Sequence, residues 1–131
     1  MEHVPCGSRP SRKAPAEWFT GEVWQDVILE APEPARGRAL LVHFAPGART
    51  NWHSHPLGQA LYVVSGFGRA QIWGGPIVEL RPGDVIWFAA GEKHWHGAAP
   101  DCTMAHIAMQ EAQDGRTADW AEPVSDAQYL G

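Results

Sequence analysis

The sequence predicts an all-β domain, either a barrel or a sandwich. Its 14 glycines and 11 prolines divide the chain at short intervals, and the pieces between them are rich in β-branched, aromatic and leucine residues. With 131 residues and 44% hydrophobic content, the chain is long enough for one domain with one packed core. Many short strands separated by turn residues are typical of two sheets closed face to face.

Eight segments are predicted to be strands because each is rich in strand-forming residues and bounded by turn formers. In chain order they are Val23–Leu29, Ala39–Phe44, Gln59–Ser65, Arg69–Trp73, Ile77–Leu80, Asp84–Phe88, His94–Gly97 and Thr103–Gln110. In the second segment, period-two alternation places Leu40, Val42 and Phe44 on one face, which we expect to be buried. His43 falls on the opposite face and is expected to contact solvent.

The termini are predicted to be arms on a single domain that spans residues 1–131. The N-terminal arm covers about residues 1–20, the barrel about 21–112 and a polar C-terminal arm about 113–131. We expect the C-terminal arm to form a short helix or to cover a neighbouring subunit. No apolar stretch follows the N-terminus, and Cys6 and Cys102 are too few to indicate a disulfide framework, so a cytoplasmic protein is expected.

Charge argues against two classes of partner. The chain has 10 basic and 15 acidic residues, a formal charge of −5, and no long run of either sign. Such a distribution does not suit a phosphate backbone or an anionic membrane surface. We therefore expect a small-molecule substrate rather than nucleic acid or a membrane.

The strongest functional signal is a group of histidines. His53 and His55 are two residues apart, so on an extended strand both imidazoles project to the same face and can share one metal ion. Gln59 follows four residues later, and its carboxamide oxygen is a plausible further ligand. His94 follows a turn at Gly91, and a hairpin-like return there would bring its ring toward the first pair.

His96 has the same strand parity as His94, so it could also face the cavity, whereas Trp95 would point the other way. We expect His96 to form a hydrogen bond beside the metal rather than to bind it, because Gln59 is the better candidate for the fourth ligand.

His106 lies alone in the last predicted strand, where its position admits two interpretations. It shares one strand face with Ala108 and Gln110, and histidine can accept and return a proton near neutral pH. On position alone the alternative stays open, because a lone histidine in a strand is often a hydrogen-bonded core residue.

The segment Gly47–His55, followed by Gln59 and Gly66, resembles the first cupin motif, which usually ends in a metal-binding glutamate and a turn glycine. Gly83–His94 resembles the second motif, although Ala89 replaces its usual proline and the asparagine after the last histidine is missing. The stretches PGARTNWHSHPLGQ, PGDVIWF and GEKHWHGAAP resemble more closely the small bacterial manganese-dependent cupin hydroxynitrile lyases.

This resemblance implies a single-domain cupin, a double-stranded β-helix or jelly-roll barrel. It implies one divalent ion, manganese before iron, nickel, zinc or cobalt, held by His53, His55, Gln59 and His94. His106 would transfer the proton in reversible cleavage of (R)-cyanohydrins such as mandelonitrile to an aldehyde and hydrogen cyanide. The family also implies a homo-oligomer, dimer or tetramer, with Trp18-Phe19 as a contact.

The predicted substrate pocket is apolar with two polar groups. Its residues are Leu40, Val42, Phe44, Leu61, His96 and Gln110. Such a lining favours an aryl substrate. Two alternatives remain open at this point, namely a cupin dioxygenase acting on a small organic substrate, which would consume oxygen, and a non-catalytic cupin that binds a small molecule or sugar.

Overall fold

The computed structural model describes residues 1–131 as thirteen strands and one short helix. The elements are β1 (Arg12–Lys13), β2 (Phe19–Thr20), β3 (Val23–Glu30), β4 (Gly37–Phe44), β5 (Arg49–Thr50), β6 (His53–Ser54), β7 (Gln59–Gly66), β8 (Gly68–Ile72), β9 (Val78–Leu80), β10 (Val85–Phe88), β11 (His94–Ala98), β12 (Met104–Glu111), β13 (Asp119–Trp120) and α1 (Asp126–Leu130).

The strands form two antiparallel sheets. The six-stranded sheet has the order β1-β3-β4-β12-β7-β10, and the seven-stranded sheet has the order β13-β6-β11-β5-β2, with β8 paired to β11 and β9 paired to β8. The all-β prediction is confirmed, and each of the eight predicted strands is present to within two residues at either end. The five two-residue strands were not predicted, because they are too short to show period-two alternation.

The main core lies between the two sheets. It contains thirteen buried residues, among them Val42, Phe44 and Leu61. His43 is exposed on the opposite face of β4, as its parity predicted. Burying each large aliphatic or aromatic side chain contributes about 1.5–3 kcal/mol, so this layer supplies much of the stability of the barrel.

Gly66 allows the backbone at the end of β7 to lie very close to the segment that leads into β12. Its φ is 74°, and a Cβ at this position would lie 1.8 Å from the carbonyl oxygen of Thr103. Only glycine fits this approach. The register between β12 and β7 shifts directly afterwards, between Ala105 and His106. The bulge therefore helps determine the direction in which His106 points.

The C-terminal segment packs on its own barrel. Strand β13 pairs with β6, and the expected short helix is α1, capped by Ser125. Tyr129 of this helix is buried, and its hydroxyl donates a hydrogen bond to the carbonyl of Ala98 at 2.5 Å. It forms a second small core with Trp52, Trp95 and Val124.

The N-terminal pair Trp18-Phe19 also packs within the chain. Trp18 stacks on Trp120 at a centroid distance of 5.4 Å, and Phe19 lies 5.6 Å from the same ring. Cys6 and Cys102 are unpaired. No helix has the length and apolar character needed to cross a membrane.

Candidate metal centre and active site

The four predicted metal ligands come together at one end of the barrel. His53 on β6 and His94 on β11 are direct partners in the sheet, with ring centroids 4.3 Å apart. His55 follows the end of β6, and its ring lies 5.0 Å from that of His53. Gln59, the first residue of β7, places its Oε1 3.3 Å from Nε2 of His94.

Backbone carbonyls orient the three histidines. Each Nδ1 faces a carbonyl oxygen, and the partners of His53, His55 and His94 are Asn51 at 2.9 Å, Thr117 at 2.7 Å and Glu92 at 2.7 Å. A carbonyl oxygen only accepts, so each Nδ1 carries the proton and each Nε2 keeps a lone pair. This arrangement is typical of metal-binding histidines.

The free donor atoms fit a cation. The Nε2 of Gln59 donates to Oε1 of Gln110 at 3.0 Å, so the Oε1 of Gln59 is free to face Nε2 of His94. Both facing atoms are acceptors, and the lone pair on Nε2 of His55 is buried without a partner. A divalent ion would satisfy all three atoms, since first-row metals accept imidazole nitrogen and carboxamide oxygen.

Burial keeps the three predicted ligand histidines neutral. It lowers the pKa of His53 well below its usual value and also lowers the pKa of His55. The pKa of His94 falls to about 3, again mainly through burial. Neutral imidazole is the form that binds metal, so the site is ready for an ion at neutral pH.

His96 lies close enough to two of the predicted ligands, His53 and His94, to bind the same ion. The ligand atoms of His53, His94 and His96 all lie within 4.8 Å of one another, and this buried group of three histidines could bind a metal ion. His96 also makes the hydrogen bond expected of it, since its Nδ1 lies 2.9 Å from Nε2 of His106. Its Nε2 is buried without a partner, so the ring is both a hydrogen-bonding residue and a possible donor.

His106 is fully enclosed on β12. Its ring packs 5.3 Å from that of Phe44, and its Nδ1 has no partner. Burial lowers its pKa to about 3. The imidazole is therefore neutral at pH 7, with one ring nitrogen protonated and a lone pair on the other.

A cavity of about 110 Å³ opens beside these histidines. Its walls are Phe19, Gln25, Leu40, Val42, Thr50, His53, His55, Gln59, His96, His106, Ala108, Gln110, Thr117, Ala118 and Trp120. None of these residues is acidic, lysine or arginine. Such a lining suits a neutral or aromatic ligand.

Four of the six predicted pocket residues lie on this wall, namely Leu40, Val42, His96 and Gln110. Phe44 and Leu61 are instead part of the core, because their inward side chains are completely covered by the opposite sheet. Phe44 nevertheless packs against the site from the core side, with its ring centroid 6.0 Å from that of His96.

The sequence did not identify the part of the wall that comes from the terminal segments. Trp120 stacks over His53 at 4.6 Å, and Phe19 and Thr117 complete the same side. Phe19 and Trp120 lie in two-residue strands, and Thr117 lies between strands. The aromatic pair Trp18-Phe19 was a visible signal in the sequence, but a place on the cavity wall was not predicted for it.

Comparison with known proteins agrees with this architecture. The Cupin domain profile matches residues 40–107, which run from β4 to β12 and include all four predicted ligands and His106. The chain belongs to the cupin family. This cupin is 55% identical over 129 residues to an (R)-mandelonitrile lyase from Granulicella tundricola, and the alignment covers 98% of both chains. The predicted resemblance to cupin hydroxynitrile lyases is thereby confirmed.

Solved structures support the same family and fold. A cupin-like protein from Thermotoga maritima matches with a TM-score of 0.85 and 38% identity over 89% of each chain. A cupin-2 domain protein from Rhodospirillum rubrum matches with a TM-score of 0.74 over 98% of this cupin and 84% of its own chain. Its identity is 14%, so that likeness concerns the fold alone.

Proposed function

We propose that this cupin is a metal-dependent hydroxynitrile lyase that reversibly cleaves (R)-mandelonitrile and related aryl cyanohydrins to an aldehyde and hydrogen cyanide. The observation that carries the proposal is the 55% identity, over nearly the whole chain, to a protein named for this activity. The uncharged cavity beside a histidine cluster is compatible with a neutral aryl substrate.

Manganese is the proposed metal, and His53, His55, Gln59 and His94 are its proposed ligands. All four are neutral, so no protein charge offsets the charge of the ion. When bound, the ion supplies electrostatic stabilisation for the negative charge that develops on the cyanide as the carbon–carbon bond breaks. The choice of manganese rests on the resemblance to manganese-dependent cupins, because these donor atoms also suit iron, nickel, zinc and cobalt.

His106 and His96 are the proposed proton carriers. Cleavage requires a base to take the hydroxyl proton while the electrons of the carbon–carbon bond leave with the cyanide, which must then gain a proton. Two neutral imidazoles carry two ring protons, one in the hydrogen bond that joins them and one on an outer nitrogen. The outer nitrogens are Nε2 of His96 and Nδ1 of His106, neither has a partner, and the one without a proton has a lone pair. A proton accepted at one outer nitrogen can be passed through the pair and released from the other.

The apolar part of the wall would hold the aryl ring. Leu40, Val42 and Phe19 lie on the cavity wall together with the proton-carrying pair. A substrate ring against these side chains would leave its hydroxyl and nitrile for the polar end of the cavity. Positioning of this kind supplies a large part of enzymatic rate enhancement.

The test combines metal analysis with a benzaldehyde-release assay on (R)-mandelonitrile. We expect the purified protein to contain about one divalent ion per chain, to lose activity on chelation and to regain it with manganese, with no oxygen uptake. Metal-loaded protein that leaves mandelonitrile unchanged would contradict the proposal. Oxygen consumption during turnover would indicate the dioxygenase alternative.

A further inference from the structure

Gln25 is a polar residue of the cavity wall that has no part in the proposed mechanism. It lies on β3 and is half-buried. Whereas the carboxamides of Gln59 and Gln110 are hydrogen-bonded to each other, that of Gln25 makes no hydrogen bond to another residue. A polar group that leaves water without a partner costs free energy, so a wall position beside aliphatic side chains normally holds an apolar residue. The donor and acceptor atoms of Gln25 are therefore available to a ligand.

Gln25, Val42 and His106 form one row across three neighbouring strands. Val42 on β4 is the direct sheet partner of both Gln25 on β3 and His106 on β12. Directly paired residues project to the same side of a sheet, and all three side chains line the cavity. With strands about 4.8 Å apart, the two ends of the row are separated by roughly 10 Å. The row therefore has a hydrogen-bonding side chain at each end and an aliphatic side chain in the middle.

The predicted metal ligands lie beyond the His106 end of this row. His106 is hydrogen-bonded to His96, and the ring of His96 lies 5.3 Å from that of His53. A cyanohydrin hydroxyl that gives its proton to the histidine pair is therefore at the end of the cavity away from Gln25. An aromatic ring that extends from this point over Val42 directs its far edge toward Gln25.

The volume and charge of the cavity limit what that far edge can carry. Pockets for drug-sized ligands have volumes of roughly 300–1,000 Å³, whereas this cavity has about 110 Å³ and favours a single ring with short substituents. Its wall contains no acidic residue, lysine or arginine that could balance a charged substituent. A carboxamide both donates and accepts hydrogen bonds, and a hydroxyl group does the same. A neutral hydroxyl is therefore the substituent that matches Gln25.

We propose that Gln25 is a specificity-determining residue that selects cyanohydrins with a hydroxyl group on the far side of the aromatic ring, such as para-hydroxymandelonitrile. The inference rests on the proposed lyase function, because it uses the orientation that His106 gives to the substrate. The carboxamide of Gln25 forms a hydrogen bond with the phenolic hydroxyl while Val42 contacts the ring. Gln25 is remote from the bond that breaks, so it acts on the choice of substrate and not on the chemical step.

The test measures kcat/KM for para-hydroxymandelonitrile and for mandelonitrile in the native protein and in Gln25→Leu, which removes both hydrogen-bonding groups at similar size. We expect the ratio of the two values to fall about three- to tenfold in Q25L, as the loss of one hydrogen bond predicts. The electronic effect of the hydroxyl on cleavage cancels, because both proteins act on the same two substrates. Gln113→Leu is the matched control, since Gln113 is exposed and outside the cavity, and it should keep the native ratio. A native ratio in Q25L, or an equal fall in Q113L, would overturn the proposal.

A binding measurement separates this inference from the lyase function. Benzyl alcohol and para-hydroxybenzyl alcohol lack the nitrile and are not cleaved, so calorimetry can give their dissociation constants from the metal-loaded protein. We expect the hydroxylated alcohol to bind about three- to tenfold more tightly to the native protein, and this preference to disappear in Q25L. The same preference in a protein that cleaves neither cyanohydrin would support the role of Gln25 and contradict the lyase function. Turnover of mandelonitrile without such a preference would contradict the role of Gln25 alone.

Discussion

The Nε2 atom of His106 lies 2.9 Å from Nδ1 of His96, and both rings are enclosed between the two sheets. Because neither ring is charged at neutral pH, one of them must donate the proton that joins them. The pair therefore has two alternative tautomers, and changing between them moves a proton from one outer nitrogen to the other. This property distinguishes His106 from an ordinary core histidine.

Replacing His106 with alanine should lower the rate of mandelonitrile cleavage by at least about a hundredfold, since general acid–base catalysis contributes a factor of roughly 10² to 10⁴. Metal content should stay normal, because the hydrogen-bond partner of His106 is His96, which is not one of the four proposed ligands. The measurements are benzaldehyde release and elemental analysis of the same sample. His43→Ala, on the neighbouring strand but exposed, is the matched control. Loss of metal in H106A would contradict a purely catalytic role.

Two substitutions separate the proposed ligands from the proton carriers. His55→Ala should lose most of the bound metal, because its Nε2 is directed by the carbonyl of Thr117 and has no other partner. His96→Ala should keep the metal and lose turnover, because His96 is not one of the four proposed ligands and its Nδ1 is hydrogen-bonded to the other proton carrier, His106. Metal titration of both chelated variants decides between the roles. If H96A fails to bind metal while H55A binds it, the ligand set is the geometric group of His53, His94 and His96.

Gln59→Glu tests whether ligand neutrality matters. A carboxylate should bind the ion more tightly and reduce its ability to stabilise developing negative charge, so metal affinity should rise while kcat falls. The substitution would also remove the hydrogen bond that Nε2 of Gln59 donates to Gln110. Gln71→Glu is the control, since Gln71 is a hydrogen-bonded amide outside the site. Equal kcat for Q59E and the native protein would show that the charge of the fourth ligand is unimportant.

The parts that were predictable from sequence are those encoded by periodic patterns. Alternation over the six residues Ala39–Phe44 predicted the facing of β4, and two-residue spacing placed His53 and His55 on one side. The parts that were missed depend on long-range packing. Trp120 lies 67 residues after His53 in the chain yet stacks on its ring, and no local pattern encodes that contact.

Pocket residues were harder to predict than the clustering of the histidines for a related reason. Val42 and Phe44 have the same parity and the same apolar character, yet Val42 reaches the cavity wall and Phe44 is enclosed in the core. Parity gives the side of a sheet, but the distance of a residue from the open end of the barrel depends on how the second sheet lies across it.

The metal-free protein should become less stable as the pH falls below about 6.5. The folded-state pKa values of His94 and His106 are lowered to about 3, whereas unfolded histidine titrates near 6.5. Between these values the unfolded chain binds protons that the folded chain excludes, so unfolding is favoured by about 1.4 kcal/mol per pH unit for each such residue. Above 6.5 both states are neutral and this effect disappears.

Urea unfolding of chelated protein from pH 8 to pH 5 measures this dependence. The free energy of unfolding should be flat at the alkaline end and fall at the acidic end. His106→Gln should show a shallower acidic slope, because one buried titratable group is removed. A native profile that does not fall between pH 6.5 and pH 5 would contradict the neutral, buried state of these histidines.

The C-terminal helix should affect the metal site from a distance. Tyr129 fixes α1 to the barrel by burial and by its hydrogen bond to Ala98, and the segment that leads to this helix supplies the carbonyl of Thr117 to His55. Tyr129→Ala should lower the free energy of unfolding by about 3–5 kcal/mol, as other large aromatic truncations do. It should also weaken metal binding, because His55 loses its fixed orientation.

Tyr129→Phe keeps the packing, so it should lower the free energy of unfolding by only about 1 kcal/mol with little change in metal affinity. Leu130→Ala, in the same helix but exposed, should change neither quantity. Denaturant unfolding and metal titration of the three variants test this prediction. If Y129A is destabilised but binds metal with native affinity, the helix stabilises the fold without orienting His55.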